Sequence, residues 1–259
     1  MKILNSIDMT DKVVIVTGGT KGVGKGIAEV FLEAGAQVVV CSRSAPDSLP
    51  SFEGRNAVFT ECDVKDPDSV QACVDFTMKK FGRLDALVNN AGGTPHADSA
   101  TVSSRFNESI VKLNLIAPFT FSQAANAVMQ AQPEGGSIIN IASVSAIRPS
   151  PGTAAYGAAK AGLINLCTSL AVEWGPKVRI NAITAGLIET EQSHLHYGDQ
   201  EGIDAVGRTI PLQRMAVPAD IGKACLYLAS PLSSFVTGTS IEVHGGGEIP
   251  AIYGAQNAT

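Results

Sequence analysis

Three side chains that can act on one oxygen atom stand near one another along the chain: Ser143, Tyr156 and Lys160. Tyr156 and Lys160 are i and i+4, so on a helix they share a face and project into the same space. A tyrosine hydroxyl can protonate the alkoxide that develops when a ketone accepts hydride, and the phenolate can take the alcohol proton in reverse. The ordinary tyrosine pKa of about 10 is too high for an efficient base at neutral pH, and each unit of lowering is worth about 1.4 kcal/mol of preference for phenolate. Lys160 and an oxidised nicotinamide ring are both positive and are expected to favour the phenolate, while the Ser143 hydroxyl steadies the carbonyl oxygen. The implied chemistry is hydride exchange at a carbonyl or secondary alcohol carbon.

Hydride needs a carrier, and the sequence offers a place for one. Thr17-Gly18-Gly19-Thr20-Lys21-Gly22-Val23-Gly24 follows an apolar run and opens a helical pattern. Glycines at a strand-to-helix turn let backbone approach a ligand, and the unpaired N–H groups of the helix start suit a pyrophosphate. At the end of the second strand an acidic residue would hydrogen-bond the ribose 2′-hydroxyl of NAD. The chain instead has Cys41-Ser42-Arg43-Ser44, where small side chains leave room for a 2′-phosphate and Arg43 can fork onto it. Lys21 offers a second cation. NADP(H) is therefore favoured, with NAD(H) not excluded.

These groups need a scaffold, and the alternation of patterns supplies one. Apolar runs at Lys12–Thr17, Gln37–Cys41, Ala57–Glu61, Ala86–Asn89, Ser137–Ile141, Val178–Ile183 and Ser240–Val243 predict seven strands. Helical spacing predicts helices after the glycine turn, over Asp66–Phe81, over Val102–Met129, over Ala154–Trp174 and over Pro218–Ala229, with Gly35 in a C-cap position. Strands of near-continuous apolar character separated by helices predict a parallel sheet covered on both faces with right-handed crossovers. Glu189–Arg214 resists assignment and is expected to be a substrate lid within one domain spanning residues 1–259.

Composition narrows the classes further. A formal net charge of −5 argues against nucleic acid as a partner. No window reaches the length of a membrane span, and the first residues lack a signal-peptide run, so the expectation is a cytoplasmic protein. Five cysteines (Cys41, Cys62, Cys73, Cys167, Cys225) form no CxxC pair, so buried reduced thiols are expected, with neither disulfides nor a metal site. His194 and His196 would need further ligands to hold a metal.

Taken together, the chain resembles the short-chain dehydrogenase/reductase family over nearly its whole length. The motifs that carry the likeness are the Thr17–Gly24 turn, Asp63 after the third strand, Asn89-Asn90-Ala91-Gly92 after the fourth, and the set Asn114, Ser143, Tyr156 and Lys160. The resemblance implies a Rossmann-type doubly wound α/β fold and a catalytic tetrad of those four residues. It implies that Asp63, with Val64, meets the adenine, that Asn90, Ala91 and Gly92 line the cofactor groove, and that Asn114 holds a water relaying protons to Lys160. Lys160 would also bond the nicotinamide ribose, beside Tyr156, and Gly186, Ile188 and Thr190 would grip the carboxamide and phosphate. Two departures stand out: Ala185-Gly186 where the family usually has Pro-Gly, and His244 where it often has Asp. Asn89 reads as a structural turn residue.

Alternatives remain open from sequence. A catalytically idle dinucleotide-binding regulator would keep the glycine turn, but the complete tetrad speaks against it. Epimerases and dehydratases among the longer relatives need an added substrate domain, and related enoyl reductases separate Tyr and Lys by six residues rather than three. The loops Thr94–Ala97, Val144–Pro151 and Glu189–Gly207 should wall the substrate pocket, mixing Ile147, Leu187 and Leu195 with His96, His194, His196 and Tyr197. A 3-oxoacyl thioester, a steroid, another hydrophobic ketone or a sugar would fit. Small residues along Ala154–Trp174 permit close helix packing, and relatives imply a homotetramer or homodimer.

Overall fold

The structure, a computed structural model, describes residues 7–256. Residues 1–6 and 257–259 of the expected domain lie outside it, as do the side chains of His196 and of residues 254–256. Seven strands form one parallel sheet: β1 (Val13–Thr17), β2 (Gln37–Ser42), β5 (Val58–Glu61), β6 (Ala86–Asn89), β7 (Gly136–Ser143), β8 (Val178–Ala185) and β9 (Ser240–Val243). Their order across the sheet is β5-β2-β1-β6-β7-β8-β9, so the winding direction reverses between β1 and β6. All seven expected strands are present. A two-stranded hairpin of β3 (Ser51–Phe52) and β4 (Arg55–Asn56) precedes β5 and is too short to leave a periodic signal.

Strand alternation explains why both faces are covered. In β1, Val14 and Val16 belong to one apolar cluster and Ile15 to the other, and β2 and β6 divide in the same way. One face packs under α1 (Gly22–Glu33) and α8 (Pro218–Ala229). The other packs under α2 (Pro67–Phe81), α4 (Ala117–Ala131) and α5 (Ala154–Trp174). A helix that must bury one stripe against a sheet needs this two-sided arrangement, and the result is a single Rossmann-like domain. No helix among the described residues is long and apolar enough to cross a membrane.

Two expectations change. The helix expected over Val102–Met129 is α3 (Ser104–Val111), a π-helical stretch Lys112–Ile116, and α4. Ser103 caps α3 by accepting the Phe106 N–H at 3.2 Å, and Pro118 sits in the first turn of α4, where its missing N–H costs little. The wide turn between them carries Asn114, an inserted register that helical periodicity cannot show. The segment Glu189–Arg214 holds α6 (His194–Tyr197) and α7 (Gln200–Arg208). Asp199 caps α7 through the Gly202 N–H, and Ile203 joins Ile210 and Met215 in a small apolar cluster of its own with Leu187, Tyr197 and Val206. After the sheet comes a last short helix, α9 (Ala251–Gln256).

Asn89 ends β6 inside the core and donates its amide to the Pro118 carbonyl, the Ser122 hydroxyl and the Asn140 side chain, at 3.2, 3.0 and 2.8 Å. These bonds lash β6 and β7 to α4. Asn89→Ala should take the amide donor away from the buried Ser122 and Asn140 oxygens and cost about 1–3 kcal/mol in urea unfolding. Its dinucleotide affinity should match the wild type, since the side chain faces the core; a loss of affinity at unchanged stability would contradict the assignment.

Candidate functional site

The reversal between β1 and β6 opens a crevice at the carboxyl ends of the strands, where doubly wound sheets bind their ligands. The cleft has a volume of about 570 Å³. Along one wall runs the glycine turn, with Gly18, Lys21, Gly22, Val23 and Gly24 facing the opening. Thr20 does not line it, because the left-handed Gly18 (φ 62°) redirects the chain and Gly19 packs down on Val40. A Cβ on Gly24 would come within 2.2 Å of the Gly18 carbonyl oxygen, so only glycine lets α1 start this close to the turn.

The start of α1 is built to receive an anion. Lys21 occupies the N-cap with extended backbone and makes no side-chain cap. The Gly22 N–H instead donates to Glu191 Oε1 at 3.0 Å. A carboxylate oxygen thus already rests on the helix N-terminus, the charge preference that the helix dipole dictates, and a dinucleotide pyrophosphate fits the same cradle. Sequence reasoning missed Glu191, since its partner lies far away along the chain.

The β2 and β5 ends form the next stretch of wall, with Ser42, Arg43, Asp63 and Val64. Arg43 and Lys21 are exposed and take part in no ion pair among the described residues. Ser42 donates its hydroxyl to the Ser44 carbonyl at 2.7 Å, and Asp63 accepts the Lys65 N–H at 3.0 Å, which shapes both loops. Cys41, Cys62 and Lys65 also border the cleft, unanticipated from their positions in sequence.

Asn90, Ala91 and Gly92 cross the floor. The Thr17 hydroxyl accepts N–H bonds from Asn90 and Ala91, both at 3.0 Å, and the Asn90 amide donates to the Thr17 carbonyl at 2.9 Å. Gly186, Ile188 and Thr190 close the far side. At the departure from the family's Pro-Gly, β8 continues through Ala185, which pairs with Val243, and the Gly186 N–H bonds the Val243 carbonyl at 3.0 Å. His244 packs on Gly186 and is steadied by Glu242 and the Gly246 N–H.

Ser143, Tyr156 and Lys160 converge on this same cleft. Ser143 is the last residue of β7; its oxygen accepts the Ser145 N–H at 3.2 Å, leaving its own O–H to donate. Tyr156 and Lys160 lie one turn apart on α5, with the Lys160 Nζ 5.6 Å from the centre of the tyrosine ring. Lys160 is 3% exposed and its amine donates to the Ile141 carbonyl at 2.7 Å. Burial lowers its pKa to about 8. Burial also raises the Tyr156 phenol above its ordinary range, opposed by the hydrogen bond from Ser143. In the chain by itself the shift has the sign of burial, and the Lys160 amine is directed at the β7 backbone.

Asn114 stands behind this trio rather than in the cleft wall. Its side chain is fully buried, accepts the Gly93 N–H at 2.8 Å, and donates to the Gly93 and Ile110 carbonyls at 3.0 and 2.9 Å. The amide is spent on bracing the loop after β6. It remains close to Lys160 through Gly92, where a Cβ would come within 2.7 Å of Asn114 Oδ1 and 3.3 Å of Lys160 Nζ.

The expected substrate walls are arranged differently from one another. The loops Thr94–Ala97 and Val144–Pro151 pack together, with the Ala97 N–H on the Gly152 carbonyl at 2.9 Å and the His96 ring against Gly152. Ile147 and Leu195 are solvent-exposed, and His194 is exposed, whereas Leu187 and Tyr197 pack in the small cluster beneath α7. Arg148 forms an ion pair with Glu248, tying its loop to the C-terminal segment.

Because Lys160 titrates near 8 when folded and near 10.5 otherwise, the unfolded chain binds more protons between those values. The penalty for burying the ammonium is therefore full below about pH 8 and fades as pH climbs toward 10.5. The stability of the ligand-free wild type relative to Lys160→Met should rise across that window; a flat difference would mean the amine is not buried.

A family model described as "Enoyl-(Acyl carrier protein) reductase" matches residues 18–248. The chain is 35% identical to a 3-oxoacyl-[acyl-carrier-protein] reductase of Chlamydia trachomatis, over 92% of this chain and 98% of that one. It is 37% identical to an L-fucose dehydrogenase of Oryctolagus cuniculus, over 92% and 85%. Among solved structures, the aldohexose dehydrogenase of Thermoplasma acidophilum in ligand-free form superposes with a TM-score of 0.85 at 34% identity, covering 92% of this chain and 94% of that one. A glycine cradle and a Ser-Tyr-Lys trio on one crevice, matched along almost the full length by such relatives, establish that the chain belongs to the short-chain dehydrogenase/reductase family of nicotinamide-dependent oxidoreductases.

Proposed function

We propose that the protein is an NADPH-dependent reductase of a 3-oxoacyl thioester or another hydrophobic ketone, with Tyr156 as general acid and, in the reverse direction, general base. The observation that carries this reading is the meeting of Ser143, Tyr156 and Lys160 with the anion-accepting start of α1 in one cleft. The Gly18–Gly24 turn and Thr190 would hold the pyrophosphate, Arg43 and Lys21 the 2′-phosphate, Asp63 and Val64 the adenine, and Gly186 and Ile188 the carboxamide end. When bound there, the nicotinamide supplies or takes the hydride.

The chain's own residues handle the oxygen and its proton. Ser143 donates its hydroxyl to the substrate carbonyl oxygen as negative charge develops on it. Tyr156 gives that oxygen its phenolic proton, completing the alcohol and leaving phenolate, which Lys160 stabilises as a neighbouring ammonium. A protonated phenol is the acid that carbonyl reduction requires. Asn114 acts from behind, fixing the Gly92–Gly93 backbone against which Lys160 rests. The segment Glu189–Arg214 serves as a lid, Thr190 and Glu191 bordering the cleft and α7 riding on its own small core. The exposed small residues Ala154, Ala158 and Ala161 of α5 suit a helix-to-helix contact in a homotetramer or homodimer.

A second substrate class is favoured by the relatives that act on L-fucose and aldohexoses: oxidation of a sugar hydroxyl by the same groups. Cofactor oxidation and reduction assays over 3-oxoacyl thioesters, ketones and aldohexoses separate the two. Tyr156→Phe should cut turnover of the best substrate by about 10²–10⁴-fold while leaving cofactor affinity near wild type; undiminished turnover refutes the role. Arg43→Leu should weaken NADPH binding roughly 10–100-fold, the value of a charge-assisted hydrogen bond, with little change for NADH. Equal losses for the two cofactors would remove the 2′-phosphate assignment.

A further inference from the structure

All five cysteines are buried and free, and three of them meet. Cys41 lies near the carboxyl end of β2, Cys62 directly follows β5, and Cys73 reaches the same spot from α2. Their Sγ atoms all lie within 4.8 Å of one another, and the residues are 0, 1 and 0% exposed. A disulfide would use two of these sulfurs and strand the third, whereas one cation could engage all three.

We propose that Cys41, Cys62 and Cys73 form a three-sulfur site for a soft d10 cation of the Zn²⁺, Cd²⁺ or Cu⁺ type, entered from the adjacent cleft. Metal–sulfur bonds of about 2.3 Å put three sulfurs about 3.8–4.0 Å apart, so the cluster need contract by about 1 Å at most. A donor set of thiolates without imidazole or carboxylate selects soft cations over Mg²⁺ or Ca²⁺. Cys41 and Cys62 border the cleft beside Ser42 and Asp63, so the buried cluster lies directly behind the cleft wall, the side from which a cation would enter.

The Cys62 thiol donates to the Ser69 carbonyl, one helical turn before Cys73, at 3.5 Å. Binding forms three sulfur–metal bonds; the three S–H bonds broken release their protons to solvent, and no oxidation state changes.

The test uses the full chain kept reduced by a non-thiol phosphine, with Cd²⁺ as probe. One equivalent is expected to give the thiolate-to-cadmium ultraviolet band and to raise Tm, and cadmium-edge X-ray absorption on the wild type is expected to count three sulfur neighbours. Cys73→Ser, whose side chain does not border the cleft, should lose the band and weaken Cd²⁺ binding on the order of 100-fold. Cys167→Ser and Cys225→Ser should retain both. No band at one equivalent, oxygen and nitrogen neighbours alone in the wild type, or a band lost with Cys167 or Cys225 would each overturn the site. The X-ray measurement needs no variant, so it still decides for or against the site if the Cys73→Ser chain misfolds. None of these readouts uses turnover, so failure here is distinct from failure of the oxidoreductase reading.

Discussion

Where the sheet reverses its winding, the loops after β1 and β6 diverge, and the Thr17 hydroxyl holds them in register by accepting the N–H groups of both Asn90 and Ala91. The geometry of the cleft depends on that junction. On one side it fixes the glycine turn that begins α1; on the other it fixes Gly92, against which the Lys160 amine and the Asn114 amide both rest. A buried hydroxyl with two donors aimed at it is well satisfied, and a shift of either loop would leave backbone N–H groups unpaired away from water. The crevice is therefore a rigid feature of the sheet.

The electrostatics of the crevice divide it into two ends. At the α1 end, backbone N–H groups and the cations Lys21 and Arg43 make a positive rim, to which Glu191 has already contributed a carboxylate. At the α5 end, burial dominates: it raises the pKa of the Tyr156 phenol and lowers that of the Lys160 amine to about 8. Both shifts have the same origin, the cost of charge in a water-poor setting, and both act against a phenolate–ammonium pair. A positive ring brought into the cleft would act on the phenol in the opposite sense, so binding and acid strength are coupled through the field of the site.

The sulfur cluster adds a third region behind the positive rim. It sits where β2 and β5 end and α2 covers them, sharing the residues that precede Ser42 and Asp63. The three thiols join the packing of α2 to the stretch of cleft wall beside Ser42 and Asp63.

Much of this was legible in the chain. Short, near-continuous apolar runs located the seven strands, because a parallel sheet covered on both faces buries both sides of each, and helical spacing located the main helices; the glycine turn, Ser143, Tyr156 and Lys160 were visible because their chemistry demands particular residue types at short spacings. What the tertiary structure alone decided depends on partners distant in sequence. The π-helical turn that sends Asn114 to Gly93 instead of into the cleft, the seating of Glu191 on Gly22, and the meeting of Cys41, Cys62 and Cys73 all join separate elements. The acid strength of Tyr156 belongs to this second group too. Residue type sets a reference pKa, but the balance between burial and a neighbouring ammonium is fixed only when the folded chain has decided how much water remains and where that ammonium points.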